Sequence, residues 1–174
     1  MKPCEVAERA VVAMGSNLGD PIRNLRSARE ELCRLGRVEV ASSIYRTAPV
    51  GGPHGQDDYL NAVVLLAPKP EYSDPRALLG ALLDIEQRHG RVRRVRWEAR
   101  MLDLDLLTFD NAIIDEPGLV LPHPRMMERG FVLAPLCEAW PQWRHPITEQ
   151  RACEALKYVA DSGVAPTSLT WGTG

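Results

Sequence analysis

Hydrophobic and polar positions follow two different periods along the chain, and at its start these predict a strand and then a helix. The apolar run AVVAMGS (10–16) is short and ends at a glycine and a serine, as a buried strand would. After it, Asp20 precedes Pro21, apolar residues recur at helical spacing, and Gly36 ends the pattern. The chain therefore opens with a strand, a turn and an amphipathic helix.

The middle of the chain predicts two strands and a second helix. Segments 38–50 and 58–68 are rich in β-branched and apolar residues, and turn-forming residues lie between them. A helix is expected to begin at a cap on Ser73 or Asp74 and to end at Gly90, because leucines recur within it at helical spacing.

A fourth strand is predicted in MLDLDLLTFDNAIID (101–115), with Asp110 and Asn111 as its turn. The order strand, helix, two strands, helix, strand is that of the ferredoxin-like fold, an α+β class in which an antiparallel sheet carries two helices on one face. Two C-terminal helices are expected within 124–140 and 147–161, and the last ten or so residues are expected to be frayed.

Length and charge narrow the class of protein. A chain of 174 residues fits one domain, so we expect a single domain spanning the whole sequence. With 45% hydrophobic and 25% charged residues, disordered and fibrous classes are excluded. The net charge of −2 argues against a general polyanion binder, so affinity for phosphate must come from local clusters of charge.

The cysteines and the N-terminus favour a cytoplasmic protein. The cysteines lack metal-ligand spacing, and we predict that they are reduced thiols, as in a cytoplasm. The segment MKPCEVAERA carries charges where a signal peptide needs an apolar stretch, and we expect neither secretion nor membrane spanning. The cysteines are Cys4, Cys33, Cys137 and Cys153.

Two aspartates share one face of the predicted fourth strand. Side chains alternate along a strand, so Asp103 and Asp105 project to one side while the leucines around them project into the core. Such a pair can share one Mg²⁺ or bracket two. The alternative is an ordinary strand with a solvent-facing acidic side.

A cluster of arginines precedes the acidic pair. Guanidinium groups bind phosphate oxygens in a bidentate manner and offset charge in phosphoryl transfer, so this cluster beside a metal site suits transfer of a phosphoryl or pyrophosphoryl group. The alternative is a solvated basic turn. The five arginines are Arg91, Arg93, Arg94, Arg96 and Arg100.

Two further groups are candidates for ligand binding. In LPHPRMMERGF (121–131), two prolines fix the backbone around His123, and Arg129 and Phe131 follow. Tyr59 and Asn61 are two apart on a predicted strand and share a face, which suits a flat heterocycle: the ring can stack and the amide can bind its edge. Both patterns also occur in purely structural contexts.

Taken in order, AMGSNLGD, YRTAPVGG with DDYLNAVV, GRVRRVRWEARMLDLDLL and LPHPRMMERGFVLAPL resemble the 6-hydroxymethyl-7,8-dihydropterin pyrophosphokinases of folate biosynthesis, over residues 11 to about 138. This combination of motifs is highly specific. The resemblance implies a ferredoxin-like fold and transfer of pyrophosphate from ATP to the pterin hydroxymethyl group, leaving AMP.

The resemblance also implies roles for individual residues around ATP. Asp103 and Asp105 would hold two Mg²⁺ ions that bridge the ATP phosphates, and Arg91 and Arg100 would be the catalytic arginines that bind the triphosphate. Trp97 would fold over the site with them, and Glu86 would contact the nucleoside end. The ATP-contacting set would be Glu86, Arg93, Arg96, Trp97, His123 and Arg129.

The pterin would lie between two aromatic rings. The resemblance places Tyr59 and Phe131 on either side of the pterin ring and gives its edge to Asn61, Thr47 and Val50. The loops at 48–58 and 91–101 would close over the two substrates. A monomer without nucleic-acid or membrane partners is expected.

Three departures from the family pattern concern contacts near ATP. The family usually has Gly-Pro-Arg-Thr where this chain has Glu98-Ala99-Arg100-Met101. Gly118 stands where some members carry an arginine, and Leu83 where some carry a polar group. We therefore expect an active enzyme with altered loop closure.

Other classes of function stay open at this point. A nucleic-acid-binding module with the same fold would need aromatic residues on its central strands, and AVVAMGS has none. A two-metal hydrolase or nuclease would fit the acidic pair and arginines alone. An inactive nucleotide-binding relative is a third alternative, because Glu98 and Ala99 alter the arginine-rich segment.

Overall fold

In the computed structural model, residues 8–49, 57–90, 101–159 and 163–172 are described. The strands are β1 (Ala10–Ser16), β2 (Gly36–Ala41), β3 (Tyr45–Thr47), β4 (Tyr59–Pro68), β5 (Asp103–Phe109), β6 (Ile114–Glu116), β7 (Leu119–Leu121) and β8 (Ala165–Pro166). The helices are α1 (Pro21–Leu35), α2 (Pro75–Arg88), α3 (Gly130–Ala139) and α4 (Ala152–Leu156). Short 3-10 turns lie at Pro70–Tyr72 and Met126–Glu128.

The main sheet is antiparallel throughout and has the order β5-β1-β4-β3-β8, with β2 paired to β4 beyond the end of β3. Strands β6 and β7 form a separate hairpin. With α1 and α2 on one face, this arrangement is ferredoxin-like, which confirms the predicted fold class. The predicted strands at 10–16 and 58–68 and the two predicted helices after them are confirmed within a few residues.

Local sequence explains where α1 begins. The Asp20 side chain accepts a hydrogen bond from the Arg23 backbone N–H at 3.1 Å, and Pro21 occupies the first helical position. Leu25 and Leu32 lie on one side of the helix and are fully buried. The apolar face therefore packs on the sheet while the capped end lies just beyond β1.

Each face of the sheet has its own hydrophobic core. On one face, Val12 and Leu104 pack with the buried residues of α1 and α2. On the other face, Val11, Val63 and Leu107 pack with α3 and α4. The helices expected at the C-terminus thus cover the face opposite to α1 and α2, and the sheet is enclosed on both sides along much of its length.

The prediction of one continuous strand over 38–50 is wrong, because the chain leaves the extended conformation between β2 and β3. The Ser42 hydroxyl accepts a hydrogen bond from the Val63 N–H at 3.0 Å and donates to the Ser43 carbonyl at 2.8 Å. Serine side chains compete with the strand ladder for backbone partners in this way. A register shift between Val38 and Val40 adds to the break.

The two C-terminal helices are shorter than predicted. Within 124–140, the helix begins only at Gly130, because Arg129 before it is extended (φ −112°, ψ 108°). In the described part of 147–161, which ends at residue 159, only α4 is helical. The residues before it form a turn in which His145 Nδ1 accepts from the backbone N–H groups of Ile147 and Thr148 at 3.3 Å each.

The chain also contains ordered structure where none was predicted. The hairpin of β6 and β7 lies in the stretch expected to be strand and loop. Residues 165–172 belong to the last ten or so residues, which were expected to be frayed, yet they pack along β3 and α1. Ala165 pairs with Arg46, and Trp171 Nε1 donates to the Ser42 carbonyl at 2.8 Å. The Arg29 guanidinium carbon lies 5.6 Å from the Trp171 ring centroid.

The prediction that all cysteines are reduced is wrong for two of them. Cys137 of α3 and Cys153 next to the start of α4 form a disulfide with their Cα atoms 5.1 Å apart. That separation suits a disulfide. The spacing of 16 residues carried no signal for it, because the contact depends on how α3 and α4 pack. Cys33 is an exposed free thiol.

Among the helices that the structure describes, none combines the length and apolar character needed to cross a membrane.

Reduction of the Cys137–Cys153 bond is expected to lower the stability of the protein. A closed loop of this length stabilises a fold by about 3 kcal/mol, which corresponds to a fall in melting temperature of roughly 6 to 12 °C for a chain of this size. Thermal unfolding with and without a phosphine reductant measures the effect. The double variant Cys137→Ser/Cys153→Ser should melt at the reduced temperature in both conditions, whereas Cys33→Ser should behave as the unmodified protein. Equal melting temperatures of oxidised and reduced protein would contradict the expectation.

Candidate active site

Asp103 and Asp105 lie on the face of β5 that points toward α3. Asp103 pairs with Gly15 of β1, and Asp105 pairs with Ala13. Leu104 between them is buried in the core beneath α1 and α2. Both aspartates are half-buried. The predicted sharing of one face is therefore confirmed, and the two carboxylates border a surface at the end of the α3 core.

A row of paired residues crosses the sheet beside the acidic pair. Asp103, Gly15 and Asn61 occupy directly opposed positions on β5, β1 and β4. Opposed residues of antiparallel strands present their side chains on the same face. A Cβ atom added at Gly15 would lie 3.1 Å from Asn61 Oδ1. The absence of a side chain at Gly15 thus leaves room for the Asn61 amide next to the aspartates.

The Asn61 amide is held by a hydrogen bond. Its Nδ2 donates to Thr47 Oγ1 at 2.6 Å, and both side chains are buried. Tyr59 pairs with Thr47 across β3 and β4, is half-buried, and shares the face of Asn61. Three of the five residues predicted to contact the pterin therefore lie together, with the amide orientation fixed.

Arg129 and Phe131 approach the same surface from the start of α3. The Arg129 guanidinium carbon lies 5.7 Å from the Phe131 ring centroid. Burial lowers the pKa of Arg129, and the positive charge of Arg125 acts in the same direction, while Asp105 and Asp103 act against it. These opposing charges show that Arg129 lies within electrostatic reach of both aspartates.

His123 lies beside the acidic pair in a fixed orientation. Its backbone N–H donates to the Leu107 carbonyl at 2.8 Å, and its ring Nδ1 accepts from the Arg125 backbone N–H at 3.2 Å. Burial lowers the pKa of His123, which the Asp105 carboxylate opposes and the Arg129 charge reinforces. The lowered pKa favours the neutral imidazole. Because Nδ1 is an acceptor, Nε2 carries the proton and is a donor.

Glu86 lies on the other side of β5. It is fully buried on α2, and its Oε1 accepts from the Leu104 N–H at 2.7 Å. Because β5 is at the edge of the described sheet, this N–H has no neighbouring strand to bind. Glu86 therefore fixes the β5 backbone between Asp103 and Asp105. Its contact with the nucleoside end of ATP stays a prediction.

Comparison with known proteins identifies the family. The model of the 7,8-dihydro-6-hydroxymethylpterin-pyrophosphokinase family matches residues 11–141. The chain belongs to this family. The predicted resemblance is confirmed, and with it the assignment as an enzyme of the pyrophosphokinase type in folate biosynthesis.

Relatives with the same activity in their names extend over most of the chain. A 2-amino-4-hydroxy-6-hydroxymethyldihydropteridine pyrophosphokinase of Synechocystis is 38% identical over 161 residues, which cover 91% of this chain and 80% of the relative. The protein of that name from Methylorubrum extorquens is 39% identical over 158 residues, covering 90% of this chain and 96% of the relative.

Solved structures agree on the fold. A crystal structure of an HPPK-DHPS in complex with substrates superposes with a TM-score of 0.69 at 15% identity, over 87% of this chain and 43% of that chain. The Plasmodium falciparum HPPK-DHPS wild type with SDX-DHP has a TM-score of 0.67 over 88% of this chain and 44% of that one. The chain spans less than half of these longer proteins, and at this identity the likeness concerns the fold.

The donor set of the pyrophosphokinase site fits Mg²⁺. Asp103 and Asp105 supply hard carboxylate oxygens on one face, and Mg²⁺ commonly takes one or two carboxylates and completes its octahedron with water and substrate phosphates. Within the ranges that the structure describes, no group of three or more histidine, cysteine, aspartate or glutamate side chains converges as a metal cage. The residues suit an ion that arrives with a phosphorylated substrate.

Several predicted site residues lie outside the described residues, and their roles stay predictions. They are Val50, Arg91, Arg93, Arg96, Trp97 and Arg100. The substituted positions Glu98 and Ala99 also lie there. Gly118 lies in the turn between β6 and β7 with φ +83°, a conformation that favours glycine. Leu83 is half-buried on α2.

Sequence reasoning missed two residues of this site. Gly15 was seen only as the end of a strand, yet its position between Asp103 and Asn61 sets the space for the amide. Arg125 was not singled out, although its backbone N–H orients His123. A glycine at the end of a buried strand that also begins a family motif was the available signal for Gly15.

Gly15→Ala is expected to weaken pterin binding, because the new methyl group would push the Asn61 amide out of its position. The loss of a buried hydrogen bond costs about 1 to 2 kcal/mol, so the dissociation constant for 6-hydroxymethylpterin should rise roughly tenfold. Calorimetric titration in the presence of Mg²⁺ and α,β-methylene-ATP measures it.

Gly80→Ala is the matched control for this substitution. Gly80 lies on α2 and a Cβ there would meet no atom within 4 Å, so binding should be unchanged while the helix is stabilised by roughly 0.5 to 1 kcal/mol. Equal pterin affinities in Gly15→Ala and Gly80→Ala would show that the Asn61 amide does not contact the pterin.

Proposed function

We propose that this pyrophosphokinase transfers the terminal pyrophosphate of ATP to the hydroxymethyl group of 6-hydroxymethyl-7,8-dihydropterin in a Mg²⁺-dependent reaction. The observation that carries the proposal is the meeting of two kinds of group on one sheet face. The aspartate pair, His123 and Arg129 suit a polyphosphate with its cation, and the Asn61–Thr47 pair with Tyr59 suits a flat heterocycle.

The reaction needs one bond to form and one to break. The pterin hydroxyl oxygen attacks the β-phosphorus of ATP, the bond from that phosphorus to the oxygen bridging the α-phosphorus breaks, and AMP leaves with the electron pair. The hydroxyl proton passes to water. No covalent enzyme intermediate is required, because positioning of the substrates and stabilisation of the developing charge account for most of the catalysis in such transfers.

The metal would be held by Asp103 and Asp105. When bound, Mg²⁺ neutralises charge on the phosphates and favours an in-line arrangement of the attacking and leaving oxygens. Without a cation, the two carboxylates would repel a triphosphate. The pair therefore makes nucleotide binding depend on the metal.

His123 and Arg129 would bind phosphate oxygens next to the acidic pair. Arg129 is a half-buried cation, and burial strengthens its interaction with a bound anion. His123 has its Nδ1 engaged by Arg125, so Nε2–H is its remaining donor. The approach of a phosphate raises the imidazole pKa and adds a positive charge at the site.

The pterin would bind between Tyr59 and Phe131, with its edge on the Asn61 amide. The hydrogen bond from Asn61 Nδ2 to Thr47 Oγ1 leaves Oδ1 as an acceptor for an N–H on the heterocycle. The half-buried rings of Tyr59 on β4 and Phe131 on α3 offer stacking surface. Val50 would add to this contact.

The packing of α3 and α4 disfavours the nucleic-acid-binding alternative. A module of that class uses an open sheet face on which bases stack. Here α3 contacts β4, and Val63 and Leu107 of the corresponding face are buried. A small-molecule substrate at the end of this face fits the observed packing better.

We also propose a cytoplasmic monomer without membrane or nucleic-acid partners. The Cys137–Cys153 bond counts against this compartment, because a reducing cytoplasm opposes disulfides. The buried residues Leu133, Leu136 and Ala155 also join α3 and α4 in one hydrophobic core, so the packing of these helices does not rest on the bond alone.

Product analysis tests the proposal. Incubation with ATP, Mg²⁺ and 6-hydroxymethyl-7,8-dihydropterin should yield AMP and the pterin diphosphate in equal amounts, and no AMP should form when the pterin or the metal is omitted. Asp103→Ala/Asp105→Ala should abolish the reaction, a loss of at least about 10³-fold.

Two outcomes would contradict the proposed reaction. Release of ADP or inorganic phosphate without pterin would indicate a hydrolase. Nucleotide binding without AMP at any pterin concentration would indicate an inactive relative, which would point to the substituted Glu98 and Ala99 positions.

A further inference from the structure

Three buried polar side chains lie where β1 passes into α1. Ser16 is fully buried, and Asn17 and Asn24 are nearly so. They belong to the segment GSNLGDPIRN (15–24), whose polar residues have no role in the site described above. Buried polar groups are retained at a cost unless they are hydrogen-bonded, so their partners show what they do.

Two of these side chains converge on one backbone oxygen. The Ser16 hydroxyl donates to the Met101 carbonyl at 2.5 Å, and Asn24 Nδ2 donates to the same oxygen at 2.9 Å. Asn24 Nδ2 also lies 3.1 Å from Ser16 Oγ and 3.0 Å from the Leu18 carbonyl. The cluster therefore links the end of β1, the first turns of α1 and Met101.

The side chain of Met101 is held at the same place. A Cβ atom on Gly19 would lie 3.2 Å from the Met101 sulfur and terminal methyl, and Gly19 has φ +70°. The Met101 side chain thus packs against Gly19, at a position where a residue with a side chain would have a strained backbone. Leu102, the next residue, is buried in the core.

The position of Met101 in the chain gives this cluster its importance. Met101 follows the arginine-rich segment 91–100 directly and precedes Asp103 by two residues. Its carbonyl is therefore fixed by polar contacts two residues before β5 begins. From the other side of Asp103, Glu86 binds the Leu104 N–H. The first metal-binding aspartate lies between two hydrogen-bonded anchors.

We propose that Ser16 and Asn24 are positioning residues of the pyrophosphokinase reaction, which hold the Met101 carbonyl and thereby fix Asp103 relative to Gly15 and Asp105. This inference rests on the proposed function, since it assigns the acidic pair to the metal–nucleotide complex. Neither residue contacts the reacting atoms. A displacement of Asp103 by about 1 Å is enough to cost up to roughly a hundredfold in rate.

Ser16→Ala, Asn24→Ala and the double variant test the inference. Asn24→Ala introduces the best helix former on α1 and is expected to fold. We expect kcat to fall about tenfold in each single variant, with KM for the pterin within about twofold of the unmodified enzyme. The Mg²⁺ concentration for half-maximal rate should rise. Because the two donors share one acceptor, their effects on kcat should be non-additive.

Two control variants separate positioning from stability. Thr108→Val removes a buried hydroxyl on β5, one whose Oγ1 has no hydrogen-bond partner among the described residues, and should leave kcat unchanged. Leu32→Ala empties part of the α1 core and should lower the melting temperature without changing kcat below that temperature.

Binding of Mn²⁺ with α,β-methylene-ATP, followed by calorimetry, gives a second measurement that needs no turnover. The affinity should fall in Ser16→Ala and Asn24→Ala and stay constant in the two controls. The inference would be overturned if Ser16→Ala and Asn24→Ala behaved like Leu32→Ala. In that case they would have a lower melting temperature but an unchanged kcat, Mg²⁺ dependence and Mn²⁺–nucleotide affinity.

Failure of the proposed function gives a different result. If the unmodified enzyme forms no AMP, the reaction assignment fails, while the binding measurement still decides whether Ser16 and Asn24 position the acidic pair. An unmodified enzyme that binds no Mn²⁺–nucleotide complex would overturn both.

Discussion

The register of β1 between β4 and β5 is the constraint on which the site depends. It aligns Asp103, Gly15 and Asn61 in one row and directs the Asp103 and Asn61 side chains to the face of α3. Because side chains alternate along a strand, a slip of one residue would turn Asp103 and Asp105 into the core and expose Leu104. The burial of that leucine beneath α1 and α2 therefore holds the carboxylates in the site.

The remaining elements complete this row from its two ends. α3 brings Arg129 and Phe131 to the acidic pair, and it is itself tied to β3 through Glu138, whose carboxylate accepts from the Tyr45 hydroxyl at 2.8 Å. Burial raises the pKa of Tyr45 to about 12, and this hydrogen bond adds to the shift. The phenol thus stays protonated and keeps donating to Glu138 at neutral pH.

Local patterns were sufficient to predict much of the fold and part of the site. Alternation placed Asp103 and Asp105 on one face, caps and helical spacing predicted α1 and α2, and the family resemblance brought His123 and Arg129 to the acidic pair. Each of these depends on neighbours in sequence or on a motif. Features that depend on contacts between distant parts of the chain could not be predicted. One is the strand break at Ser42, which depends on its hydrogen bond with Val63. The others are the Cys137–Cys153 bond and the contact of Asn24 with Met101.

Glu86 is an example, at a single residue, of the same limit on prediction from sequence. The resemblance assigned it to the nucleoside end of ATP, whereas the structure has it fully buried with a hydrogen bond to Leu104. A buried carboxylate that binds an edge N–H supports the strand that carries Asp103 and Asp105. Its part in nucleotide binding therefore depends on what happens at the β5 edge when ATP is present.

A crystal structure with Mg²⁺, α,β-methylene-ATP and 6-hydroxymethylpterin tests the central claim most directly, namely that the acidic pair and the Asn61 amide form one site for two substrates. The account predicts Mg²⁺ about 2.0 to 2.1 Å from oxygens of Asp103 and Asp105, with the triphosphate beside His123 and Arg129 and the pterin edge on Asn61. A triphosphate bound away from the aspartates, or a pterin that makes no contact with Asn61, would contradict it.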